Sequence, residues 1–344
     1  MPTPRSTWLR LAGLALIAAS CAAPTSNQEA LTTEQPAPTL TSLPPASPPP
    51  TSAATTTTAT SIPLPRLPEL GDGTVCDLYS PEVRKLGTIA SEAITEASGI
   101  AASRAGQTFW VVNDSGNAAA VHAVARDGSE LAAIELDGVL GFDWEAISIG
   151  PGPEAGVSYI YVGDIGDNFR LRNTISLLRF PEPDPANPPA SIEDVERIRL
   201  TYPATAEDSE AMWVDPLTGD VFVVTKRQPD GKAVVFRAPA AQLSALEPAE
   251  MSRVAEFAFP ENVYVTAADV SADGSVLAFR GYNEVWMWVR RDLEYVTTLT
   301  AEPCMAPSPD EIQGEALTFS DGLTYVTVSE GSAKPLNEIS PAAP

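Results

Sequence analysis

Four-strand units recurring along the chain predict an all-β fold, a beta-propeller of five four-stranded blades closed by an N-terminal strand in the last blade. The first observation is texture. From about residue 75, short apolar runs are separated by Gly, Asp, Pro and Asn, with no long amphipathic helical run. The second is a repeated opening, a small or acidic start leading into a β run. It appears in EASGIAASRAGQTFWVVNDSG (96–116), WEAISIGPGPEAGVSYIYVGDIGDN (144–168), SEAMWVDPLTGDVFVVTK (209–226), TAADVSADGSVLAFRGY (266–282) and GEALTFSDGLTYVTVSEG (314–331). Aligned on Glu96, Glu145, Glu210, Thr266 and Glu315, the openings lie 49, 65, 56 and 49 residues apart. Such a period at four strands per unit is a propeller signature. A sandwich also uses short strands, but has no reason to repeat one opening. A sixth blade stays open only if 169–208 hold a degenerate one.

Each of the first four openings is followed by two more strand candidates. They are AVHAVAR (120–126) and ELAAIEL (130–136), ISLLRFP (175–181) and VERIRLTYP (195–203), AVVFRAP (233–239) and SRVAEFAF (252–259), EVWMWVR (284–290) and LEYVTTL (293–299). One brief helix is expected near SALEPAEMS (244–252). The fifth unit lacks an outermost strand, whereas RKLGTIA (84–90) has no unit of its own. Placing that segment on the last blade closes the ring and hides two edges. Closure also brings Cys76, just before the closing strand, towards Cys304, just before the last unit. A Cys76–Cys304 disulfide in an exported protein would then contribute up to about 5 kcal/mol. Two unrelated free thiols are the alternative.

Residues 1–20 read as an export signal. Arg5 and Arg10 precede a short apolar run from Leu11 to Ala19, too short to span and stop in a bilayer. Small residues then lead into Cys21, which resembles a bacterial lipoprotein signal cleaved before a lipidated Cys21; Ala18 stands where Leu is commoner. Ordinary secretion and an uncleaved anchor are the other readings. Residues 21–70 form a Pro/Thr-rich disordered tether: 22–70 contain 11 Pro and 11 Thr, with only Glu29, Glu34, Arg66 and Glu69 charged. So polar a stretch cannot bury enough apolar surface to fold. These features place a single propeller domain (71–344), a monomer, on the outer face of a bacterial cell membrane, held there through Cys21.

The formal net charge of -24 excludes a nucleic-acid partner, since nothing offsets phosphate repulsion. One histidine, His122, argues against histidine metal centres and a Ser-His-acid triad, and its third-strand position suggests a partly buried side chain. Chemistry must therefore run on carboxylates, amides and a few cations. In a propeller, innermost-strand starts and second-strand ends meet around one channel mouth. The starts are Glu96, Glu145, Glu210, Thr266 and Glu315, with Asp143 and Asp208 close by. The ends are Asp114 and Asn117, then Asp164, Asp167 and Asn168, then Lys226, then Arg280 with Tyr282 and Asn283, and Glu330. So many facing carboxylates repel strongly. A bound divalent cation, protonation, or pairing to Lys226 and Arg280 would relieve this. Calcium suits the oxygen-rich set, with Glu96, Glu145, Asp164, Asp167, Asn168, Glu210 and Glu315 as candidate ligands. A purely hydrogen-bonded acidic ring is the simpler alternative. Trp144, flanked by Asp143 and Glu145, is the tryptophan expected to face a ligand; the others read as packing.

The motifs ASGI, WVVNDSG, DWEAI, YVGDIGDN and QGEA resemble an uncharacterised group of exported bacterial beta-propeller lipoproteins over about residues 92–331. That resemblance implies fold, not activity. More loosely, the acidic mouth is similar to six-bladed calcium-dependent lactonases and phosphotriesterases, but with more glutamates, fewer asparagines and no mouth histidine. The leading functional reading is a tethered binding or scaffold module for a small molecule, glycan or protein. Its alternative is a metal-dependent hydrolase of esters, lactones or phosphoesters. There Glu145, Asp164 or Glu210 would be the base, and Lys226 and Arg280 would hold anionic substrate groups. A glycan-cleaving propeller has less support, because few exposed aromatics accompany the acids.

Overall fold

The computed structural model describes residues 62–65, 73–104, 107–226, 231–258 and 263–342. The expected signal, Cys21 and all of the tether except 62–65 lie outside the described residues. Among those described, the strands form five sheets. A strand β1 (Arg84–Thr88) precedes the first blade, which is β2 (Ala97–Ala102), β3 (Thr108–Asn113), β4 (Ala120–Ala125) and β5 (Glu130–Leu136). The second blade is β6 (Trp144–Pro151), β7 (Ser158–Asp164), β8 (Thr174–Pro181) and, after the short β9 (Ser191–Ile192), β10 (Glu196–Thr201). The third comprises β11 (Ser209–Val214), β12 (Val221–Thr225), β13 (Lys232–Ala238) and, beyond β14 (Ala249–Glu250), β15 (Ser252–Ala258). The fourth is β16 (Ala267–Val270), β17 (Val276–Arg280), β18 (Val285–Val289) and β19 (Cys304–Ala306), with a helical turn α1 (Val296–Leu299) before its last strand. The fifth holds β20 (Gly314–Asp321), β21 (Thr324–Ser329) and β22 (Pro335–Ile339). β9 and β14 each extend the preceding blade's outer edge by a short parallel pairing.

Burial explains the strand texture. Inner strands such as β3 (TFWVVN) and β12 (VFVVT) are buried along their whole length, because neighbouring blades cover both faces. Outer strands such as β5 and β15 alternate or lie largely exposed. The apolar core is five clusters, one between each adjacent pair of blades. Trp213, Phe222 and Phe279 pack in the cluster joining the third and fourth. Ile100, Phe109 and Val111 of the first blade meet Val326, Val328 and Leu336 of the fifth. The ring is thus closed by the same kind of interface that joins its other blades. β1 pairs antiparallel with β22, as expected of a closing strand. Glu338 of β22 then takes Arg84 and Arg126 together, tying closing strand and first blade to the last.

Two expected elements are corrected. LEYVTTL is not the fourth blade's outer strand. Asp292 accepts the N–H groups of Val296 and Thr298, both at 2.9 Å. Tyr295 takes a left-handed backbone, φ 61°, with Arg290 over its ring at 4.3 Å. That cap starts a helical turn where β-branched residues alone suggest a strand, and CMA (304–306) supplies the edge instead. The helix expected over 244–252 is absent: a 3₁₀ turn lies earlier, at Ala240–Gln242, and Ala249–Glu250 pair as strand. The disulfide joins Cys76 to Cys304, as expected, but Cys304 belongs to the fourth blade's outer strand. The bridge therefore spans from the lead-in of the closing strand to the fourth blade.

The bridge encloses a sequence separation of 228 residues, so its removal releases much chain entropy on unfolding. Cys76→Ala with Cys304→Ala is expected to lower unfolding free energy by about 2–5 kcal/mol, measured by denaturant titration. The wild type under reductant should match the double variant.

Candidate metal centre at the channel mouth

Strand register defines the mouth. Ala97 pairs with Asn113, Trp144 with Asp164, Ser209 with Thr225, Ala267 with Arg280 and Gly314 with Ser329, so each inner-strand start meets a second-strand end. Four of these pairings are interrupted by a β-bulge. In blades two, three and five the bulge skips Glu145, Glu210 and Glu315 themselves. In the first it skips Ser98, two residues after Glu96. A bulge leaves its extra residue out of the ladder and re-aims the side chain. The equivalent positions are therefore Ser98, Glu145, Glu210, Thr266 and Glu315, which corrects the alignment on Glu96. The inner strands line a central void of about 10 Å³, touched by Ser98, Glu145, Glu210 and Thr266, with room for about one water.

Ser98 and Thr266 are tied into the scaffold. Ser98 Oγ donates to the Trp144 carbonyl and Thr266 Oγ1 to the Gly314 carbonyl, both at 2.8 Å. Glu96 is exposed and accepts from Asn117 Nδ2 at 2.9 Å. Asp114, Asp143 and Glu145 instead converge, with one oxygen from each within 4.8 Å of the others. Asp114 comes from the NDSGN loop after β3, Asp143 from the approach to β6, and Glu145 from its bulge. Two oxygens on opposite sides of a calcium-sized cation lie about 5 Å apart at most, so one ion can touch all three. The donor set, carboxylates only, suits a hard divalent cation.

The electrostatics match that geometry. Glu145 is buried, and burial followed by the charges of Glu210, Asp114 and Asp143 pushes its carboxyl up to about 11. Asp143 is raised by burial and by Asp114. Glu210 is 4% exposed, and Lys226 Nζ donates to its Oε1. Burial pushes Glu210 up to about 7 even though Lys226 favours its charge. Burial opposes the charge on Lys226 as well, but the adjoining Glu210 outweighs it and holds the amine protonated. The pair is thus ionised, and Glu145, which forms no ion pair among the described residues, carries the proton. Glu210 Oε2 is buried without a hydrogen-bond partner among the described residues. On the far side, burial and Glu210 raise Glu315 to about 9, and Gln313 Nε2 bridges Glu315 and Glu330.

Several expected site residues serve the scaffold. Asp164 is fully buried. It accepts the backbone N–H groups of Phe142 and Asp143 at 3.2 and 3.3 Å, and Arg172 Nη1 at 2.7 Å, with Arg197 3.7 Å away. Asp167 is fixed by the Arg172 N–H, and its own N–H donates to Asp208 Oδ1 at 2.9 Å; Asn168 is exposed. GDIGDN therefore holds Asp143 in place rather than surrounding an ion. Its Gly166 passes so close that a Cβ there would lie 2.5 Å from Glu145 Oε1 and 2.7 Å from Asp143 Oδ2. Arg280 does not face the mouth: it is fully buried, paired to Glu311, and donates to the Ala316 carbonyl at 3.2 Å. Trp144 borders a small cavity with Asp114, Asn117 and Gly141, and its Nε1 is unpartnered. His122 is buried with Nδ1 2.8 Å from Glu130 Oε1, as its third-strand position suggested. Asp114 and Asp143 stood beside the expected ligands but not among them; the available signal was that each abuts a turn at a strand end on the mouth side.

No family model matches this sequence. No curated protein matches it either. Among solved structures, the chain is similar to the PQQ-bound aldose sugar dehydrogenase of Streptomyces coelicolor, at 14% identity over 75% of this chain and 97% of that one, TM-score 0.46. It is also similar to a glucose dehydrogenase, 8% identical over 76% and 100% of the two chains, TM-score 0.46. The propeller domain of Myceliophteria thermophila Cps50 (Swd1) aligns at 12% identity over 72% and 84%, TM-score 0.39. Values this low assign no chemistry to this chain. What stands of the motif resemblance is the five-bladed fold, read from the protein's own sheets.

Glu145 makes stability fall as pH rises in metal-free protein. Between the ordinary value of 4.5 and the folded value of about 11, the folded state holds a proton that the unfolded chain has lost. Stability from this group is complete below pH about 4.5 and is lost on the way to about 11. Glu145→Gln is expected to flatten that decline, read as a smaller drop in melting temperature between pH 6 and 9 in EDTA.

Proposed function

We propose that this protein is an exported, lipid-anchored propeller whose mouth binds a divalent cation, calcium by preference, and hydrolyses ester bonds. The convergence of Asp114, Asp143 and Glu145 on one point carries the reading. Without a cation the three acids repel and one is held neutral; an ion replaces that proton and relieves the crowding. When bound, it supplies Lewis acidity to an ester oxygen.

The remaining steps fall to this chain's own groups. Glu210 Oε2 is a mouth acceptor without a partner among the described residues, on a carboxyl poised near neutrality, so it takes a proton from the attacking water. Lys226 on Oε1 keeps Glu210 ionised and fixes its rotamer. Water's oxygen joins the acyl carbon, the ester C–O bond breaks, and Glu210 returns the proton to the leaving alkoxide. Asp164 and Arg172 position Asp143 and touch no substrate. A binding module without turnover uses the same cation centre and differs only in lacking this last sequence.

Calcium titration by calorimetry is expected to show one site, weakened at least tenfold in Asp114→Asn and in Asp143→Asn. Turnover of p-nitrophenyl acetate is expected to be lost with EDTA and restored by calcium. In Glu210→Gln, kcat should fall about 10²–10⁴-fold with calcium affinity retained. Binding without any turnover would leave the binding-module reading in its place.

A further inference from the structure

The two mouth-side loops of the second blade expose four large apolar side chains. Leu140 is 73% exposed and Phe142 60%, on the approach to β6; Phe169 is 84% exposed and Leu171 80%, on the loop after β7. These are four of the ten large apolar side chains exposed among the described residues. The loops adjoin, since their strands pair at Trp144 and Asp164 and the Phe142 N–H bonds Asp164. They also adjoin the metal centre. Phe142 directly precedes Asp143, and the second loop crosses Glu145 and Asp143 at Gly166. Apolar groups clustered on loops beside a polar centre are a recognition feature rather than packing.

The cations expected to hold an anionic substrate are already committed. Lys226 is paired to Glu210 and Arg280 to Glu311, and Arg172, on the second loop, is paired to Asp164. Arg170, between the two apolar residues of the second loop, is likewise not free. Around them stand Glu96, Asp114 and Glu330, so a phosphomonoester or carboxylate meets net negative charge.

We infer that Leu140, Phe142, Phe169 and Leu171 form the acyl-arm subsite of the metal centre, so that the substrate is an uncharged ester carrying an apolar chain. The inference rests on the hydrolase reading and narrows it, removing anionic phosphoesters from the substrate set. Burying a methylene stabilises by about 0.8 kcal/mol, which corresponds to up to about fourfold per CH₂.

The test uses p-nitrophenyl esters from acetate to octanoate with calcium-loaded protein, and phenyl alkyl ketones of the same lengths as non-cleavable probes in calorimetry. For the wild type, kcat/KM and ketone affinity are both expected to rise with chain length, by two- to fourfold per methylene. In a Phe142→Ser, Phe169→Ser, Leu171→Ser variant both series should flatten while calcium affinity and melting temperature are retained. Flat wild-type series, or p-nitrophenyl phosphate cleaved faster than the hexanoate, would overturn the subsite. A rising ketone series without ester turnover would overturn the hydrolase reading and keep an apolar-arm site. Sedimentation decides the competing occupant: a wild-type dimer that the variant dissociates, with both series unchanged, would assign the patch to a second copy of this chain.

Discussion

The mouth depends on a backbone irregularity, the β-bulge at the start of the innermost strand. In a regular ladder alternate side chains point to opposite faces of a blade, into the cores between blades. Glu145, Glu210 and Glu315 would then be buried among apolar neighbours without compensation. Leaving each out of the ladder lets the following alanine, Ala146, Ala211 or Ala316, resume the core alternation while the carboxyl turns to the axis. The inner strands can come so near because small residues face one another there. A Cβ on Gly99 would already lie 2.8 Å from the backbone nitrogen of Ile147 in the next blade. Closeness at the axis is what makes the acids interact.

That closeness has to be offset group by group. Lys226 relieves Glu210, but one ammonium cannot also neutralise Glu145 and Glu315, whose carboxyls are therefore pushed towards the neutral form. Acids further out are treated differently. Asp164 is satisfied by two backbone N–H groups and an arginine, Asp215 by a bidentate pair with Arg290 at 2.8 and 2.6 Å, and Glu311 by Arg280, Asn337 and Thr327. Buried carboxylates with complete hydrogen bonding hold structure, since removing one partner leaves an uncompensated charge. Asp114 accepts the Ser115 N–H and Asp143 a side-chain bond from Ser115, but among the described residues Asp114, Asp143 and Glu145 form no ion pair, and this difference separates the candidate centre from the fully paired acids.

The architecture was legible because it rests on periodicity. Strand runs, the closing role of RKLGTIA and the Cys76–Cys304 pairing all follow from counting and from the need to cover edges. What escaped the sequence was set by side-chain hydrogen bonds and by single-residue register. Nothing in EASGI distinguishes Glu96 from Glu145 until the bulge is seen at Ser98. LEYVTTL carries strand-forming residues, and only the reach of Asp292 turns it into a helical turn. GDIGDN has the residue types of a cation loop, yet Arg172, three residues beyond Phe169, claims its first aspartate. Arg280 sits at a second-strand end as the topology requires, but its guanidinium lies under the fifth blade, where Glu311 meets it.

The repeat is therefore most informative where it breaks. Five glutamates at the equivalent inner-strand starts would place five carboxylates around a void of about 10 Å³. Blades one and four carry Ser98 and Thr266 there instead, and each hydroxyl donates to the first carbonyl of the next blade's opening, at Trp144 and Gly314. These two positions remove charge and tie adjacent inner strands. Glu145 and Glu210 are left on consecutive blades, with Ser98 on one side of them and Thr266 on the other. The carboxyls of Glu145 and Glu210 thereby stand together on the side where Asp114 and Asp143 arrive from their loops. An evenly acidic ring would bind cations diffusely along the axis. Replacing two of its members with hydroxyls confines the candidate site to one side of the mouth.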